Sequence, residues 1–424
     1  MASLDNSNAQ VHSSVKNYYG KVLSSTKDLK TSACTTGSRP HPLITSIIAK
    51  IPSAVNDRFY GCGNPIPLGI QGKDILDLGC GSGRDCYIAA ALAGPQGSVT
   101  GIDMTDEQLE VARTNVSAYA ESLGYTPTLR FLPGYIEMLG QAGVPESSID
   151  VCISNCVVNL SPNKQMVLEG VYSALREGGE FYFSDVYADA QLPDDVRSHD
   201  VLLGECIGGA LFYEEFEQMA EHVGFARPRV LAISHIEIHD AELKQLVGDV
   251  KFYSITYRLF KLPKTDVVAE GPTDATYLGA IEGHADKYEL DIDNNFKTNV
   301  PTPVSADTAH IIAHSWISKF FTLKTSIDNT QQPGARSSTG VLMQSAYDEE
   351  QKSGGSSGCC APKKESSGSG CCAPKKESSG GGCCAPKKTE TGAGCCPPKK
   401  ETPVLEILNE SSDQCCSGPS KKCC

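Results

Sequence analysis

Seven of the 19 cysteines in this 424-residue chain lie in ordinary mixed sequence: Cys34, Cys62, Cys80, Cys86, Cys152, Cys156 and Cys206. Four of them stand where a thiol could act. Cys34 precedes a polar stretch, and Cys62 sits in the flexible turn Tyr60-Gly-Cys-Gly-Asn64. Cys156 follows an apolar run in Ser154-Asn-Cys-Val-Val-Asn-Leu160, and Cys206 lies in Gly204-Glu-Cys-Ile-Gly-Gly-Ala210. None forms a Cys-x-x-Cys pair, so zinc-finger spacing is absent. In a cytosolic chain such thiols are more often ligands or reactive groups than disulfide staples, and thiolate suits soft ions. Cys80, Cys86 and Cys152 have apolar or glycine neighbours and read as small buried residues.

A second chemistry is written in Asp77-Leu-Gly79-Cys-Gly81-Ser-Gly83-Arg84-Asp85. The segment leaves an apolar run and leads into an Ala-rich one, so its glycines permit a tight turn and close approach of a ligand. Asp103 ends the next apolar run, where an acid would accept hydrogen bonds from both hydroxyls of a ribose. A dinucleotide wants Gly-x-Gly-x-x-Gly and rests its pyrophosphate on the helix N-terminus. Here the third glycine comes too early and Arg84 takes its place. S-adenosylmethionine has no pyrophosphate and carries a cationic sulfonium, which tolerates Asp77. The segment resembles motif I of the class I methyltransferases, and S-adenosylmethionine is the expected cofactor.

Strands and helices alternate around these residues. Strands are expected at 74–79, 98–104, 128–132, 149–155 and 180–186, with two more near 229–238 and 251–261. Leu109, Ala112, Val116, Tyr119 and Leu123 recur at helical steps and predict one helix over 106–123, opened by Thr105 with Gln108 as a capping box. Further helices are predicted at 85–92 and at 164–175, the latter stopped by Gly178-Gly179. The pattern implies an α/β fold, a doubly wound and mostly parallel sheet of Rossmann-like type. Cys156 would then lie at the carboxyl end of a strand, the edge where ligands collect. Four segments follow: 1–71 carrying the first cysteines, 72–262 as the cofactor-binding domain, 263–345 as a small C-terminal domain, and 346–424 as a disordered tail. In the small domain, strands are expected at 277–281 and 288–292, and a helix at 307–321 carries Trp316. The tail repeats Cys-Cys-Ala-Pro-Lys-Lys with pairs beginning at Cys359, Cys371, Cys383 and Cys395, and two further pairs follow. Its composition cannot build a core.

The motifs resemble the eukaryotic arsenite methyltransferases. The matching segments are Asp77-Leu-Gly-Cys-Gly-Ser-Gly-Arg-Asp-Cys-Tyr87, Gly101-Ile-Asp-Met-Thr105, Gly134-Tyr-Ile-Glu137, Ser154-Asn-Cys156, Tyr182-Phe-Ser-Asp-Val-Tyr187 and Gly204-Glu-Cys206. The likeness runs from about Asn17 to Phe321. It implies that Cys34, Cys62, Cys156 and Cys206 bind trivalent arsenic, with Cys34 and Cys62 as a redox pair. It also implies that Asp77, Asp103, Met104, Ile136, Glu137 and Asn155 contact the cofactor beside Gly79 and Gly81, while Tyr60 and Gly61 close over it. Arsenite and methylated arsenicals would be the substrates and products, and a dithiol reductant such as thioredoxin, or glutathione, would be a partner. Cys80, where relatives carry Ser, and the long tail depart from the pattern.

Composition sets the outer limits. Net charge is −14, and the tail from Ala346 holds 11 Lys against 10 Asp or Glu, so the acidic excess belongs to the body. Nucleic acid, which wants a basic face, is an unsuitable partner. No apolar run reaches the ~20 residues of a membrane span, and the polar Met1–Gln10 does not resemble a secretory signal, so the expected location is cytoplasmic. Two other readings compete: methyl transfer to another small molecule, and a thiol-rich protein that sequesters metal ions without catalysis. A dehydrogenase is weakened by Arg84.

Overall fold

Short apolar runs form the inner parallel strands, because helices on both faces leave little of such a strand in contact with water. The computed structural model describes residues 6–17, 40–59, 61, 63–264, 273–325 and 333–354, all within the unit Met1–Cys359. The strands are β1 (Asp74–Leu78), β2 (Ser98–Asp103), β3 (Thr128–Pro133), β4 (Ile149–Asn155), β5 (Leu175–Ala188), a two-residue β6 (Leu211–Phe212), β7 (Arg229–Ile236) and β8 (Phe252–Phe260). Their order is β3-β2-β1-β4-β5-β8-β7, with β6 beside β5. β3 through β5 run parallel, and β8 and β7 close the sheet antiparallel. Chain order reverses between β1 and β4, which opens a crevice at the carboxyl ends of these strands. One apolar layer, around Tyr87, Tyr119 and Trp316, covers one face; a second, around Leu168, Phe183 and Phe216, covers the other.

Several local expectations shift. The helix expected over 106–123 is two helices, Asp106–Thr114 and Val116–Leu123. Between them the Asn115 amide donates to the Val111 carbonyl at 2.8 Å and Thr114 Oγ1 donates to that of Glu110 at 2.7 Å, competing with the backbone ladder. Thr105 is the N-cap but its side chain makes no capping bond. Its N–H instead donates to Asp103 Oδ1 at 2.8 Å, so the capping box gives way to a bond within the site. The helix expected to 175 ends at Ala174, and Gly178-Gly179 lie inside β5, which begins at Leu175.

The C-terminal residues add β9 (Thr273–Tyr277), β10 (Lys287–Glu289), β11 (Asn295–Lys297), β12 (Thr302–Val304) and β13 (Phe321–Thr325). β9 pairs antiparallel with β12 and β13. The strand expected at 277–281 thus falls four residues earlier, and the one expected at 288–292 begins one residue earlier and is shorter. The helix ends at His314 rather than 321, because Trp316 turns away to the main sheet: its N–H donates to the Gly178 carbonyl at 2.9 Å and its Nε1 to Glu180 Oε2 at 2.7 Å. A helix spans Thr339–Gly354, with Met343 buried against the second apolar layer and Ala346 and Tyr347 packed on it. The segment expected to be disordered from 346 is therefore helical to 354, and the repeated cysteine pairs lie outside the described residues.

A buried ion pair on the sheet anchors the C-terminal residues. Arg258 on β8 donates from Nε and Nη2 to both oxygens of Glu180 on β5, at 2.6 and 3.0 Å, and from Nη1 to the Leu290 carbonyl at 3.1 Å. Glu180 is 0% exposed and Arg258 1%. Removing one partner strands the other charge, so Glu180→Ala should lower stability by about 3–5 kcal/mol. Urea denaturation of the full chain tests this; a loss under ~1 kcal/mol would contradict the joint.

Candidate functional site

The carboxyl ends of β3, β2, β1 and β4 line a cleft, at the edge where ligands bind in doubly wound sheets. The loop after β1 forms its floor. Gly79, Gly81 and Gly83 have φ of 61°, 51° and 89°, values that favour glycine. A Cβ at Gly79 would lie 2.3 Å from Val157, whereas one at Gly81 would meet nothing within 4 Å because it faces open cleft. Asp103 fixes the loop: its Oδ2 accepts the Gly81 N–H at 2.8 Å while Oδ1 accepts that of Thr105.

Carboxylates dominate the electrostatics. Burial, with the nearby charges of Asp85 and Asp103, pushes the Asp77 carboxyl well above the usual carboxylate range, although the Cys86 thiol donates to it at 3.1 Å. Burial also raises Asp103 and Asp85; backbone donors oppose this at Asp103, and Arg84 and Asn155 oppose it at Asp85. Arg84 lies 3.6 Å from Asp85 and 3.7 Å from the Phe59 ring centre. Three buried carboxyls around one open glycine loop suit a ligand with positive charge and hydroxyls, and repel a pyrophosphate. S-adenosylmethionine fits this donor set.

Glu137 closes the β3 end. Burial alone would raise its carboxyl, but hydrogen bonds with His12, at 3.0 Å, and from Ser161, at 2.5 Å, outweigh burial and hold it below the usual glutamate range. At the opposite end Asn155 accepts the Gly63 N–H and donates to the Gly63 carbonyl, both at 3.1 Å, and donates to Asp85 at 3.0 Å. Met104 and Ile136 line the walls, and Cys156 stands beside Asn155.

Cys156 and Cys206 converge beyond β4 and β5. Both have left-handed φ, 56° and 64°, a strained state for a residue with a Cβ. Cys206 Sγ donates to the Cys156 carbonyl at 2.9 Å. Their sulfurs and a carboxylate oxygen of Asp185 all lie within 4.8 Å of one another. Burial pushes Asp185 up to about 7 against the lowering effect of the Val186 and Asn159 N–H groups and of Lys164. Burial pulls Lys164 down to about 8, opposed by Asp185. Cys156 is disulfide-bonded, to none of the other described cysteines. Cys80, Cys86 and Cys152 are buried free thiols, but Cys80 also lines the cleft.

Of the residues singled out in the sequence, the structure brings Asp77, Gly79, Gly81, Asp103, Met104, Ile136, Glu137, Asn155 and Cys156 to one cleft, with Cys206 behind it. Gly61 packs close to Asn155, where a Cβ would lie 2.6 Å from the amide. Tyr60, Cys62 and Cys34 lie outside the described residues. Sequence reading passed over His12, Ser161 and Lys164, which carry no local motif. Asp85 and Asp185 stood inside the motifs quoted above, adjacent to residues that were assigned.

The chain is similar to known proteins over most of its length. The methyltransferase domain family matches residues 71–224, and the arsenite methyltransferase C-terminal domain family matches 270–379. The arsenite methyltransferase of Mus musculus is 41% identical over 369 residues, 84% of this chain and 97% of the relative. The chain belongs to the arsenite methyltransferase family. The Rattus norvegicus member is 44% identical over 309 residues, 72% of this chain and 83% of its own. The crystal structure of an arsenic(III) S-adenosylmethionine methyltransferase from Chlamydomonas reinhardtii, 48% identical, covers 70% of this chain and 100% of its own with a TM-score of 0.65. The family's C-terminal match extends past the expected domain limit at 345, in accord with the helix that continues to Gly354.

Asp103 offers a quantitative test of the cofactor site in this arsenite methyltransferase. Hydrogen bonds to a charged group contribute about 1.5–3 kcal/mol. Asp103→Ala should therefore weaken S-adenosylmethionine binding roughly 10- to 150-fold by calorimetry. Unchanged affinity would remove Asp103 from the site.

Proposed function

We propose that this chain transfers methyl groups from S-adenosylmethionine to trivalent arsenic held by Cys156 and Cys206, giving mono- and dimethylated arsenicals as a detoxification reaction. The observation that carries the assignment of roles is the convergence of these two sulfurs at the β4–β5 edge, with Cys156 lining the cleft. Thiolates are the soft ligands that trivalent arsenic prefers. Held by thiolates in a pyramid, arsenic keeps its lone pair free. When bound, S-adenosylmethionine supplies an electrophilic methyl group. The arsenic lone pair forms the As–C bond as the C–S bond breaks, so no proton need be removed, and arsenic rises formally from the trivalent to the pentavalent state. The chain's contribution is to place the two sites side by side. Asp77, Asp103, Met104, Ile136, Glu137 and Asn155 would hold the cofactor with Gly79 and Gly81, and Tyr60 and Gly61 would close over it.

Cys34 and Cys62 complete the arsenic site in this reading. They supply two electrons to return arsenic to the trivalent state and become a disulfide, which an external dithiol reductant such as thioredoxin, or glutathione, resets. Cys156 must also be reduced before its sulfur can hold arsenic. A reducing, cytoplasmic setting would keep it so; among the described residues no helix is long and apolar enough to cross a membrane. The family matches beginning at 71 and 270 support dividing the chain into 1–71, 72–262 and a C-terminal part. A methyltransferase acting on an organic oxygen or nitrogen would want a base at the methyl site, and the paired thiols would have no task. A sequestering protein would have no need of the carboxylate-lined cleft.

Arsenite turnover with speciation of the products tests the reading. Cys156→Ser and Cys206→Ser should each abolish methylation of arsenite and of monomethylarsenite, because a hydroxyl cannot replace a thiolate. Cys34→Ser and Cys62→Ser should block the first methylation but spare the second, whose substrate already spends one arsenic valence on carbon. Normal arsenite methylation by Cys156→Ser would misplace the site.

The tail pairs are proposed as a thiol reservoir that passes arsenic to the body by exchange. Because Met343, Ala346 and Tyr347 pack on the core, the informative truncation falls after Gly354. It should slow turnover only at low arsenite, since tethering raises local concentration to around the millimolar range. Equal rates at all arsenite concentrations would leave the tail a passive extension.

A further inference from the structure

Asp185 on β5 neither lines the cofactor cleft nor belongs to the thiols that hold arsenic in the reading above. It is 0% exposed. Its Oδ1 accepts the Val186 N–H at 2.8 Å and its Oδ2 accepts that of Asn159 at 3.1 Å. Both oxygens thus act as acceptors, the arrangement of an ionised carboxylate. A carboxylate oxygen of Asp185 and the sulfurs of Cys156 and Cys206 all lie within 4.8 Å of one another. Lys164, the cation that acts on Asp185 through space, donates instead to the Ser161 carbonyl at 2.9 Å. Among the described residues, the thiol site therefore keeps a buried carboxylate with backbone donors and no bonded cation.

Methyl transfer to arsenic moves charge across this site. The cofactor arrives as a sulfonium cation and leaves as a neutral thioether. Arsenic on three thiolates is neutral. Its lone pair forms the As–C bond as the C–S bond breaks, and it becomes a four-coordinate cation with no proton gained or lost. The positive charge thus passes from the cleft to the thiols. Cys156 lines the cleft, whereas Cys206 and Asp185 do not, so the carboxylate stands on the side that receives the charge. Arsenic bonded to both sulfurs is one bond length from each, and hence only a few ångströms from this carboxylate. An interaction that strengthens as charge develops lowers the barrier, whereas one equal in both states does not.

We propose that Asp185 is the counter-ion of the arsenic cation formed during methyl transfer. The proposal rests on arsenic held by Cys156 and Cys206, with Cys156 reduced. The two backbone N–H groups fix the carboxylate before the charge arrives, so the step demands little reorganisation. A unit charge that moves several ångströms toward a carboxylate, at an effective dielectric constant of about 20, changes the rate by on the order of tenfold.

The test is a single-turnover rate on the full chain, loaded with arsenite and saturated with S-adenosylmethionine, for the native protein, Asp185→Asn, Asp185→Ser and Asp185→Glu. Asparagine and serine each offer the backbone an acceptor without a charge, and two neutral variants guard against one that does not fold, which melting curves establish. Elemental analysis gives arsenic bound per chain, counted above that of Cys156→Ser, and calorimetry gives cofactor affinity. The neutral variants should load arsenic and bind cofactor as the native chain does, yet transfer the methyl group about tenfold more slowly. Asp185→Glu, which keeps the charge, should retain more of the rate than either. The proposal is overturned if loaded neutral variants turn over at the native rate. It is also overturned if Asp185→Glu is no faster than they are, since shape rather than charge then matters. Neutral variants that no longer hold arsenic overturn it as well, because the carboxylate then serves to build the thiol site. If the native chain transfers no methyl group to arsenic, the methylation reading itself fails, which is a different outcome from slowed transfer with arsenic in place.

Discussion

The Asn155 side chain joins the parts on which the site depends. Its oxygen and nitrogen clasp the backbone of Gly63, and the same nitrogen donates to Asp85 at the start of the helix that follows the glycine loop. One amide thus links the end of β4, the backbone at Gly63 and the helix that follows the cofactor loop. The clasp requires close approach, since a Cβ at Gly61 would overlap the amide and one at Gly63 would lie 2.2 Å from Ser184 Oγ. It also places Cys156 as the very next residue, bent by its left-handed φ away from the line of the strand. The spacing between cofactor cleft and thiols is therefore set by a hydrogen-bonded joint at the sheet edge.

Charge is distributed along that edge in a consistent order. Glu137 follows β3, Asp103 ends β2, Asp77 lies on β1 and Asp185 on β5. Burial makes each of them costly to ionise. Glu137 is held ionised by His12 and Ser161, whereas Asp77 lacks comparable help and stays raised. The cleft therefore favours a ligand that brings positive charge with it, which a sulfonium-bearing amino acid does. The same acidic lining disfavours nucleotides with phosphates, so cofactor choice follows from electrostatics as well as from the glycine spacing.

The C-terminal residues are joined to this edge through the far side of the sheet. Glu180, Arg258 and Trp316 form one buried network, and Arg229 reaches Asp291 at 3.3 Å and Thr308 at 3.2 Å. Their apolar residues share a layer with the helix after the glycine loop. Segments that read as separate in sequence accordingly share one core.

The sequence by itself determined the parallel sheet, because apolar runs separated by helix-length segments permit little else, and it determined the cofactor loop, because glycine spacing and Asp77 and Asp103 are local signals. Cys156 and Cys206 were legible from their motifs, although 50 positions separate them and nothing local places one sulfur beside the other. Tertiary structure decided that meeting, and it decided the break at Asn115, where side-chain bonds to the previous turn outweighed an unbroken helical pattern. It also moved Trp316 out of its expected helix, since a buried Glu180 offered its indole a partner no neighbour in sequence could. His12 is the clearest case. A histidine in a polar stretch has no periodicity or motif to mark it, and its significance arises only when folding sets it against Glu137, 125 residues away, where it helps hold that carboxylate below the usual glutamate range.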